Sequence, residues 1–217
     1  MVIPLTSVRD RYLAAQLAGD RRAALAVLDD GLSEDWAVQD LEREVVQSAQ
    51  LEIGRLWAHN QLSVGHAHMA AEVSRVALAH LVELAAPRAT RGRKLLVACV
   101  EGERHDLPAR FVADYLEHAG YEVRYLGADV PCDALLSIIA VEQPDLVALS
   151  VTMVFNLGGL RCAVATIRAK YPDLPILAGG NALAWSPCVV TELGLPVVGD
   201  TPQAIVEAVE RALRDRR

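Results

Sequence analysis

From about residue 94 to the end of the sequence, short apolar runs alternate with longer amphipathic segments, and this alternation constrains the fold more than any other feature. The runs have the length of buried parallel strands, and the segments between them have helical periodicity. Such alternation is typical of an α/β domain, so we predict a doubly wound, flavodoxin- or Rossmann-like parallel sheet of five strands. The predicted strands span residues 94–100, 122–126, 146–150, 176–178 and 197–198. The predicted helices span residues 108–119, 132–142, 158–170, 182–193 and 201–214.

Residues 1–86 show helical periodicity and no strand pattern, which favours an N-terminal four-helix bundle. The four predicted helices span residues 9–17, 21–30, 35–57 and 64–85. Asp20 and Ser63 are positioned to cap the second and fourth helices. Gly31-Leu32-Ser33 predicts a break in the chain, after which Ser33 caps the third helix. A polar, arginine-containing segment then separates the two patterns. The predicted boundaries are a helical bundle at 1–86, a linker at 87–93 and an α/β domain at 94–217.

Charge and cysteine usage exclude several classes of function. The chain has 217 residues and a formal net charge of -7, and its longest basic stretch is the short segment 88–94. This balance lacks the electrostatic footprint of a nucleic-acid-binding protein. The four cysteines are widely spaced without a Cys-x-x-Cys pair, so we expect free thiols rather than a zinc site or a disulfide framework. No apolar run reaches the roughly 20 residues that span a bilayer, and no signal peptide opens the sequence. We therefore expect a cytoplasmic protein without membrane contact.

The loop after the first predicted strand carries a histidine and a carboxylate two residues apart, Glu103 and His105. Open α/β sheets bind their ligands at the carboxyl ends of the strands, where this loop lies. An imidazole that ligates a metal needs an acceptor on its other nitrogen, and Glu103 is positioned to supply it. The alternative is a histidine that is simply solvated. Pro108 lies where a helix begins, which suits its fixed backbone angle.

Two further short motifs follow predicted strands: Ser150-Val151-Thr152 after the third and Gly179-Gly180-Asn181 after the fourth. Either motif alone is typical of an ordinary strand-to-helix turn with a capping hydroxyl. Together they offer glycines that allow close backbone approach and hydroxyls that can meet the polar edge of a flat ligand.

In these three motifs the sequence resembles the cobalamin-binding domain family, whose loop has the pattern Asp-x-His-x-x-Gly. The Glu-x-His variant is most similar to the light-sensing cobalamin-binding regulators, while Pro108 stands in place of the family's glycine. The resemblance implies that His105 is the lower cobalt ligand and that Glu103 orients it. It also implies that the other two motifs line a slot for the nucleotide tail of the cofactor. The α/β residues that the resemblance assigns to cofactor binding are Glu103, Arg104, His105, Asp106, Leu107, Ser150, Thr152, Gly179, Gly180 and Asn181.

The helical region carries a second similarity to the same regulators, because nine residues separate Trp57 from Ala67-His68. The resemblance implies that Trp57 covers the upper face of the corrin and that His68 becomes the upper cobalt ligand after illumination. The alternatives are a Trp57 that packs in the bundle core and another nearby histidine in the role of His68. The relatives have a glutamate where this chain has Ala67. The smaller side chain predicts room for a second flat chromophore, a bilin such as biliverdin.

The first functional hypothesis is a light sensor that binds adenosylcobalamin. Cleavage of the photolabile cobalt–carbon bond would change domain packing, the oligomeric state of a dimer or tetramer, or affinity for a downstream protein. The sequence has no nucleophile–base pair, no acid pair and no phosphate-binding loop, so we expect no enzymatic activity.

Two alternatives remain at this stage. Stand-alone relatives with the same two parts carry methyl groups between cobalamin-dependent methyltransferases. The Glu-x-His loop and the segment from Trp57 to His68 favour the sensor over this corrinoid carrier. The other alternative is a flavodoxin-like domain that binds another nucleotide or none, which would require all three motifs to be coincidental.

Overall fold

The structure is a computed structural model that describes residues 4–85, 89–196 and 198–215. Contacts divide the chain into two units, Met1–Pro87 and Arg88–Arg217. The predicted boundary and the start of the predicted linker fall on residues 86–88, which lie outside the described residues. The remainder of that linker is held by the second unit, because the Arg91 amide donates to the Gly120 carbonyl and its guanidinium to Glu210. No helix among the described residues is both long and apolar enough to cross a lipid bilayer.

The first unit is helical, as predicted. Its elements are α1 (Leu5–Leu17), α2 (Arg21–Ser33), α3 (Val38–Asp40), a π-helical segment (Leu41–Gln47), α4 (Ser48–Ala58) and α5 (Val64–Leu84). The π-helical segment joins α3 to α4 without a break, so residues 38–58 form one continuous helical stretch. The Asp20 carboxylate accepts from the Ala23 amide and the Ser63 hydroxyl from the His66 amide, so both predicted caps are present.

The predicted break at Gly31-Leu32-Ser33 is wrong. Helix α2 continues through Ser33, whose hydroxyl donates to the Asp29 carbonyl instead of capping the next helix. Gly31 is a packing position, because a Cβ there would lie 2.8 Å from a methyl carbon of Leu41. The chain reverses instead at Asp35, which has a φ of 65°, and the next helix therefore begins at Val38 and not at residue 35.

The core of the helical unit contains a small polar network among its aliphatic residues. The Gln16 side-chain amide donates to the Gln50 side-chain oxygen at 2.9 Å and to the Ser74 hydroxyl at 2.8 Å. The Tyr12 hydroxyl lies 3.4 Å from the same Ser74 oxygen and is fully buried. These hydrogen bonds offset the desolvation cost of the groups that make them, whereas the Gln16 side-chain oxygen is buried without a partner among the described residues.

The second unit is built on a parallel sheet. Its strands are β1 (Lys94–Cys99), β2 (Glu122–Tyr125), β3 (Leu146–Ser150) and β4 (Ile176–Gly179), in the spatial order β2-β1-β3-β4. Every pairing is parallel, so the predicted flavodoxin-like order is confirmed for these strands.

The predicted fifth strand is not formed within the described part of the chain. Val197 lies outside the described residues, and Val198 is not in a strand. Pro196 has no amide hydrogen to donate to a ladder, and Gly199 follows Val198 immediately. With glycine directly after it, Val198 does not extend the described sheet.

Helices cover both faces of the sheet. They are α6 (Leu107–His118), α7 (Cys132–Glu142), α8 (Leu157–Lys170), α9 (Asn181–Trp185), α10 (Pro187–Glu192) and α11 (Pro202–Arg214). Helices α6 and α11 lie together on one face, where Val97 and Leu177 point, and α7 packs with α8 on the other, against Leu96 and Ala98. The predicted single helix 182–193 is wrong, because Pro187 disfavours a helical Ser186 and splits it into α9 and α10.

Candidate functional site

The candidate site lies at the carboxyl ends of β1 and β3 and is organised around a buried carboxylate. Glu103 has no solvent-exposed surface, and each of its oxygens accepts hydrogen bonds. One oxygen accepts from the amide of His105 at 2.9 Å and lies 2.6 Å from its ring Nδ1. The other accepts from the amides of Thr152 and Met153 and from the side-chain amide of Asn156, each at 2.9 Å. The carboxylate therefore ties the loop after β1 to the segment after β3.

These contacts keep Glu103 ionised. Burial alone would raise the pKa of its carboxyl, because desolvation disfavours the charged form. The hydrogen bonds from the His105 ring, from Asn156 and from the amides of His105 and Met153 outweigh burial and lower the pKa to about 2. At neutral pH the group is an acceptor at both oxygens.

His105 is held by one ring nitrogen only. Its Nδ1 bonds to Glu103, whereas its side chain is 47% exposed and its Nε2 has no hydrogen bond to any described residue. The Glu103 carboxylate raises the pKa of the imidazole, an effect larger than the opposing one of partial burial. A carboxylate on Nδ1 fixes the tautomer and makes Nε2 the better electron donor. This is the arrangement that a metal-ligating histidine requires.

Further hydrogen bonds fix the backbone of the loop. The Gly102 amide donates to the Asp129 carboxylate at 2.7 Å, and the Asp129 amide donates to the Glu103 carbonyl at 2.8 Å. The Tyr125 hydroxyl donates to the Asp106 carbonyl at 3.0 Å. The segment after β2 thus supports the loop after β1 from the side opposite to β3.

Sequence reasoning missed two residues of this network, Asn156 and Asp129. Asn156 is separated from Glu103 by 53 positions, and Asp129 lies three residues after the end of the second predicted strand. Asparagine before an amphipathic helix was a signal for Asn156, but it suggests a cap rather than a buried donor. For Asp129, the signal in the sequence was its position after the carboxyl end of a predicted strand.

The second part of the site is a narrow apolar cleft of about 90 Å³ between the sheet and helices α6 and α11. Its lining includes Val97, Val112, Ser150, Gly179, Gly180 and Val209. The predicted Ser150, Gly179 and Gly180 therefore share one cleft. Gly180 has a φ of 113°, and a Cβ there would lie 2.1 Å from the Val151 carbonyl oxygen. Only glycine permits this approach of the chain after β4 to the end of β3.

Thr152 links the cleft region to the carboxylate. Its amide donates to Glu103, and its hydroxyl oxygen is buried without a hydrogen bond to any described residue. A buried hydroxyl with no partner costs free energy, so a polar ligand atom at this position would satisfy it.

The other predicted residues of the α/β unit differ in accessibility. Leu107 is only 5% exposed and packs as the first residue of α6, so it supports the loop rather than reaching a ligand. Arg104 and Asn181 are exposed, and Asp106 is half-buried. Pro108 lies in the first turn of α6, as predicted.

Within the helical unit, Trp57 and His68 are accessible. Trp57 at the end of α4 is 40% exposed, so it is not a fully buried core residue of the bundle. His68 in α5 is exposed and has no hydrogen bond to a described residue. The other histidines of the unit are each bonded, His59 to the Arg55 carbonyl, His66 to the Ser63 hydroxyl and His80 to the Asp29 carboxylate. Of the four candidates, His68 has both ring nitrogens available.

Comparison with known proteins identifies relatives that share both units. A family model described as B12 binding domain matches residues 93–213, and a second model with the same description matches residues 8–82. The chain is 28% identical over 190 residues to the HTH-type transcriptional repressor CarH of Myxococcus xanthus, covering 87% of this chain and 62% of that protein. It is 28% identical over 147 residues to dimethylamine corrinoid protein 2 of Methanosarcina acetivorans, covering 62% of this chain and 68% of that protein.

Among solved structures, the monomethylamine corrinoid protein of Methanosarcina barkeri superimposes with a TM-score of 0.78 at 17% identity. The match covers 98% of this chain and 100% of that one. At this identity the similarity establishes the fold. The chain spans somewhat less than two thirds of the length of the repressor.

Proposed function

The chain belongs to the B12 binding domain family, and from this premise we propose that it is a cobalamin-dependent light sensor. In this proposal Nε2 of His105 would hold the cobalt, and the α/β cleft would receive the nucleotide tail. Light then changes the oligomeric state or the affinity for a downstream protein. The proposal assigns no catalytic residue to the chain.

The observation that carries cobalamin binding is the Glu103–His105 pair. A half-exposed imidazole bonded through Nδ1 to a fully buried carboxylate has one nitrogen left to donate to a metal. Glu103 accepts five hydrogen bonds from two segments, the loop after β1 and the segment after β3, so its position does not depend on the metal. The chain thus presents a ligand that is oriented before the cofactor arrives, which lowers the entropic cost of binding.

The chemistry of the cleft lining supports binding of the nucleotide tail. The missing side chain of Gly179 leaves space beside the sheet, and the remaining lining is mostly apolar, which suits the faces of a flat base. The Thr152 hydroxyl lies just after β3, two residues beyond the cleft-lining Ser150, has no hydrogen bond to a described residue and offers a donor or acceptor to a polar edge. In the bound state these residues would exclude water from the tail.

The light-sensing part is supported by the extent of similarity. The alignment with the repressor spans both units, whereas the alignment with the dimethylamine corrinoid protein covers less of this chain. The resemblance of the segment from Trp57 to His68 to light-sensing regulators supports the same choice, and both side chains are accessible. Adenosylcobalamin supplies, when bound, a weak cobalt–carbon bond that visible light can cleave.

The experiment that tests sensing loads the protein with adenosylcobalamin in the dark and records absorption and size-exclusion elution before and after green light. We expect a spectral change that depends on light, accompanied by a shift in elution volume or in capture of a partner protein. A Trp57→Ala variant should alter the rate of photoconversion, whereas a Leu51→Ala variant, which also removes an exposed apolar side chain, should not. A spectrum and elution volume that stay fixed under light would contradict the sensor.

A second candidate is the corrinoid methyl carrier, favoured by the equal identity to the dimethylamine corrinoid protein. It predicts tight binding of methylcobalamin and its demethylation by a partner methyltransferase, with no response to light beyond that of the free cofactor. His105 would serve as cobalt ligand in either function. The response to light is therefore the measurement that distinguishes the sensor from the carrier.

A bilin next to the cobalamin stays a prediction of the sequence. Ala67 is partly buried and next to the accessible His68, which leaves this part of α5 small and polar. Reconstitution with biliverdin should give a red-absorbing band that a bulkier Ala67→Glu variant weakens. The absence of any such band in the unmodified protein would remove the bilin from the account.

A further inference from the structure

Two cysteines that are thirty positions apart in the sequence lie against each other in the α/β unit. Cys132 is the first residue of α7, Cys162 is in α8, and their Sγ atoms are 2.7 Å apart. Both are free thiols. The wide sequence spacing of the cysteines therefore concealed a pair, and neither member belongs to the candidate cofactor site.

The two thiols differ in their surroundings. Cys162 is exposed, and its sulfur lies 3.9 Å from the Thr166 hydroxyl. Cys132 is half-buried and packs against the core between α7 and α8. Burial, followed by the adjacent Cys162 thiol, raises the pKa of Cys132 to about 12. Cys132 therefore remains protonated while Cys162 is accessible to solutes.

We propose that Cys132 and Cys162 form a redox-active dithiol that a hydroperoxide converts to an intramolecular disulfide. The Cys162 thiolate attacks one peroxide oxygen, and the O–O bond breaks to leave a sulfenic acid and hydroxide. The Cys132 sulfur then displaces the sulfenic hydroxyl, which leaves as water with the Cys132 proton. The net reaction consumes two thiols and one hydrogen peroxide and yields one disulfide and two waters. A thiol reductant reverses it by exchange.

The position of the pair connects it to the loop network. Cys132 follows Asp129 by three residues, and Asp129 bonds to the backbone of Gly102 and Glu103. Cys162 is in the helix that begins directly after Asn156, which bonds to the Glu103 carboxylate. A disulfide would covalently join the two segments that support Glu103 from either side. Its formation does not require the cofactor, so it is testable on protein without cobalamin.

The test treats reduced, cobalamin-free protein with hydrogen peroxide and counts thiols after denaturation with Ellman's reagent. The reduced chain has four thiols, and we expect the count to fall by two. Peptide mapping should show the segments of Cys132 and Cys162 linked, and dithiothreitol should restore all four thiols.

The matched control is Cys188→Ser, which removes an exposed cysteine that has no sulfur neighbour among the described residues. This variant should still lose two thiols, whereas Cys132→Ser should form no disulfide and should leave Cys162 as a sulfenic acid that dimedone traps. A wild-type count that stays at four would overturn the proposal. So would a loss that runs through disulfides between chains, visible as dimers on a non-reducing gel.

Discussion

At the residue scale, Glu103 determines what His105 can do. A carboxylate without solvent contact is stable only when its charge is met by donors, and Glu103 has backbone and side-chain donors at both oxygens. The same charge holds the imidazole through Nδ1. Stability of the loop and orientation of the His105 ring are therefore two effects of one residue.

Replacing Glu103 by glutamine removes the negative charge of the side chain and keeps its size. The glutamine nitrogen cannot accept a hydrogen bond, so at least one donor that now faces an oxygen would face another donor. We expect the free energy of unfolding of the cofactor-free protein to fall by about 2–4 kcal/mol, measured by urea denaturation. Glu101→Gln, at an exposed position in the same loop, is the control and should change it by less than about 0.5 kcal/mol.

Because of Tyr12, we expect the free energy of unfolding of the helical unit to decrease at alkaline pH. Burial raises the pKa of its hydroxyl to about 12, an effect only partly offset by the contact with Ser74. In the unfolded chain the hydroxyl ionises near pH 10, so its stabilising contribution is complete below pH 10 and is lost as the pH rises toward 12. Two pKa units correspond to about 2.7 kcal/mol. Tyr12→Phe should abolish this part of the decline in unfolding free energy, and parallel curves for both proteins above pH 10 would refute the assignment.

The sequence predicted the local part of the site but not its distant part. Glu103 and His105 are two residues apart, so their bond could be anticipated from the chemistry of an oriented imidazole. Asn156 could not, because its contact depends on how the segment after β3 folds back over the loop. The proximity of Cys132 and Cys162 depends in the same way on the packing of α7 against α8.

At the scale of elements, the ends of β3 and β4 show how glycine shapes the cleft. Gly180 has a backbone conformation that side chains disfavour and lies against the Val151 carbonyl, whereas Gly179 has an ordinary φ and open space where a Cβ would be. Gly180 is therefore required by the fold, whereas we propose that Gly179 leaves room for the ligand.

Alanine substitutions should separate these purposes. Gly180→Ala should reduce the free energy of unfolding by at least about 2 kcal/mol, because the methyl group overlaps a backbone oxygen and the φ is unfavourable. Gly179→Ala should leave stability unchanged or raise it by about 0.4–1 kcal/mol. Gly179→Ala should nevertheless weaken the binding of cobalamin roughly tenfold, or by about 1.4 kcal/mol, because the added methyl group narrows the cleft.

The test compares binding of cobalamin with that of cobinamide, which lacks the nucleotide tail. Gly179→Ala should weaken the binding of cobalamin and leave the binding of cobinamide unchanged. An equal loss for both corrinoids would show that the cleft does not receive the tail.

The order of elements was predictable because strand and helix periods differ clearly in this sequence. Three details were not. Gly31 stands in a helix because Leu41 packs against it, Pro187 divides a predicted helix, and the short apolar pair at 197–198 adds no strand to the described sheet. In each case a tertiary contact or a single backbone restriction overrode the local pattern.

At the scale of the whole molecule, a helical unit and an α/β unit each match a B12 binding domain model. In the proposed role the cofactor would supply the photolabile bond, and the α/β unit would supply His105 and the cleft, so that role requires no catalytic side chain.

The most direct test of the account is the dark absorption spectrum of the protein loaded with adenosylcobalamin, compared between the unmodified chain and His105→Ala. We predict an imidazole-ligated spectrum that is lost in His105→Ala and retained in His59→Ala, since His59 is exposed and, among the described residues, its ring is bonded to the Arg55 carbonyl of its own helix. If His105→Ala gave the same spectrum as the unmodified protein, His105 would not be the cobalt ligand and the central claim would be wrong.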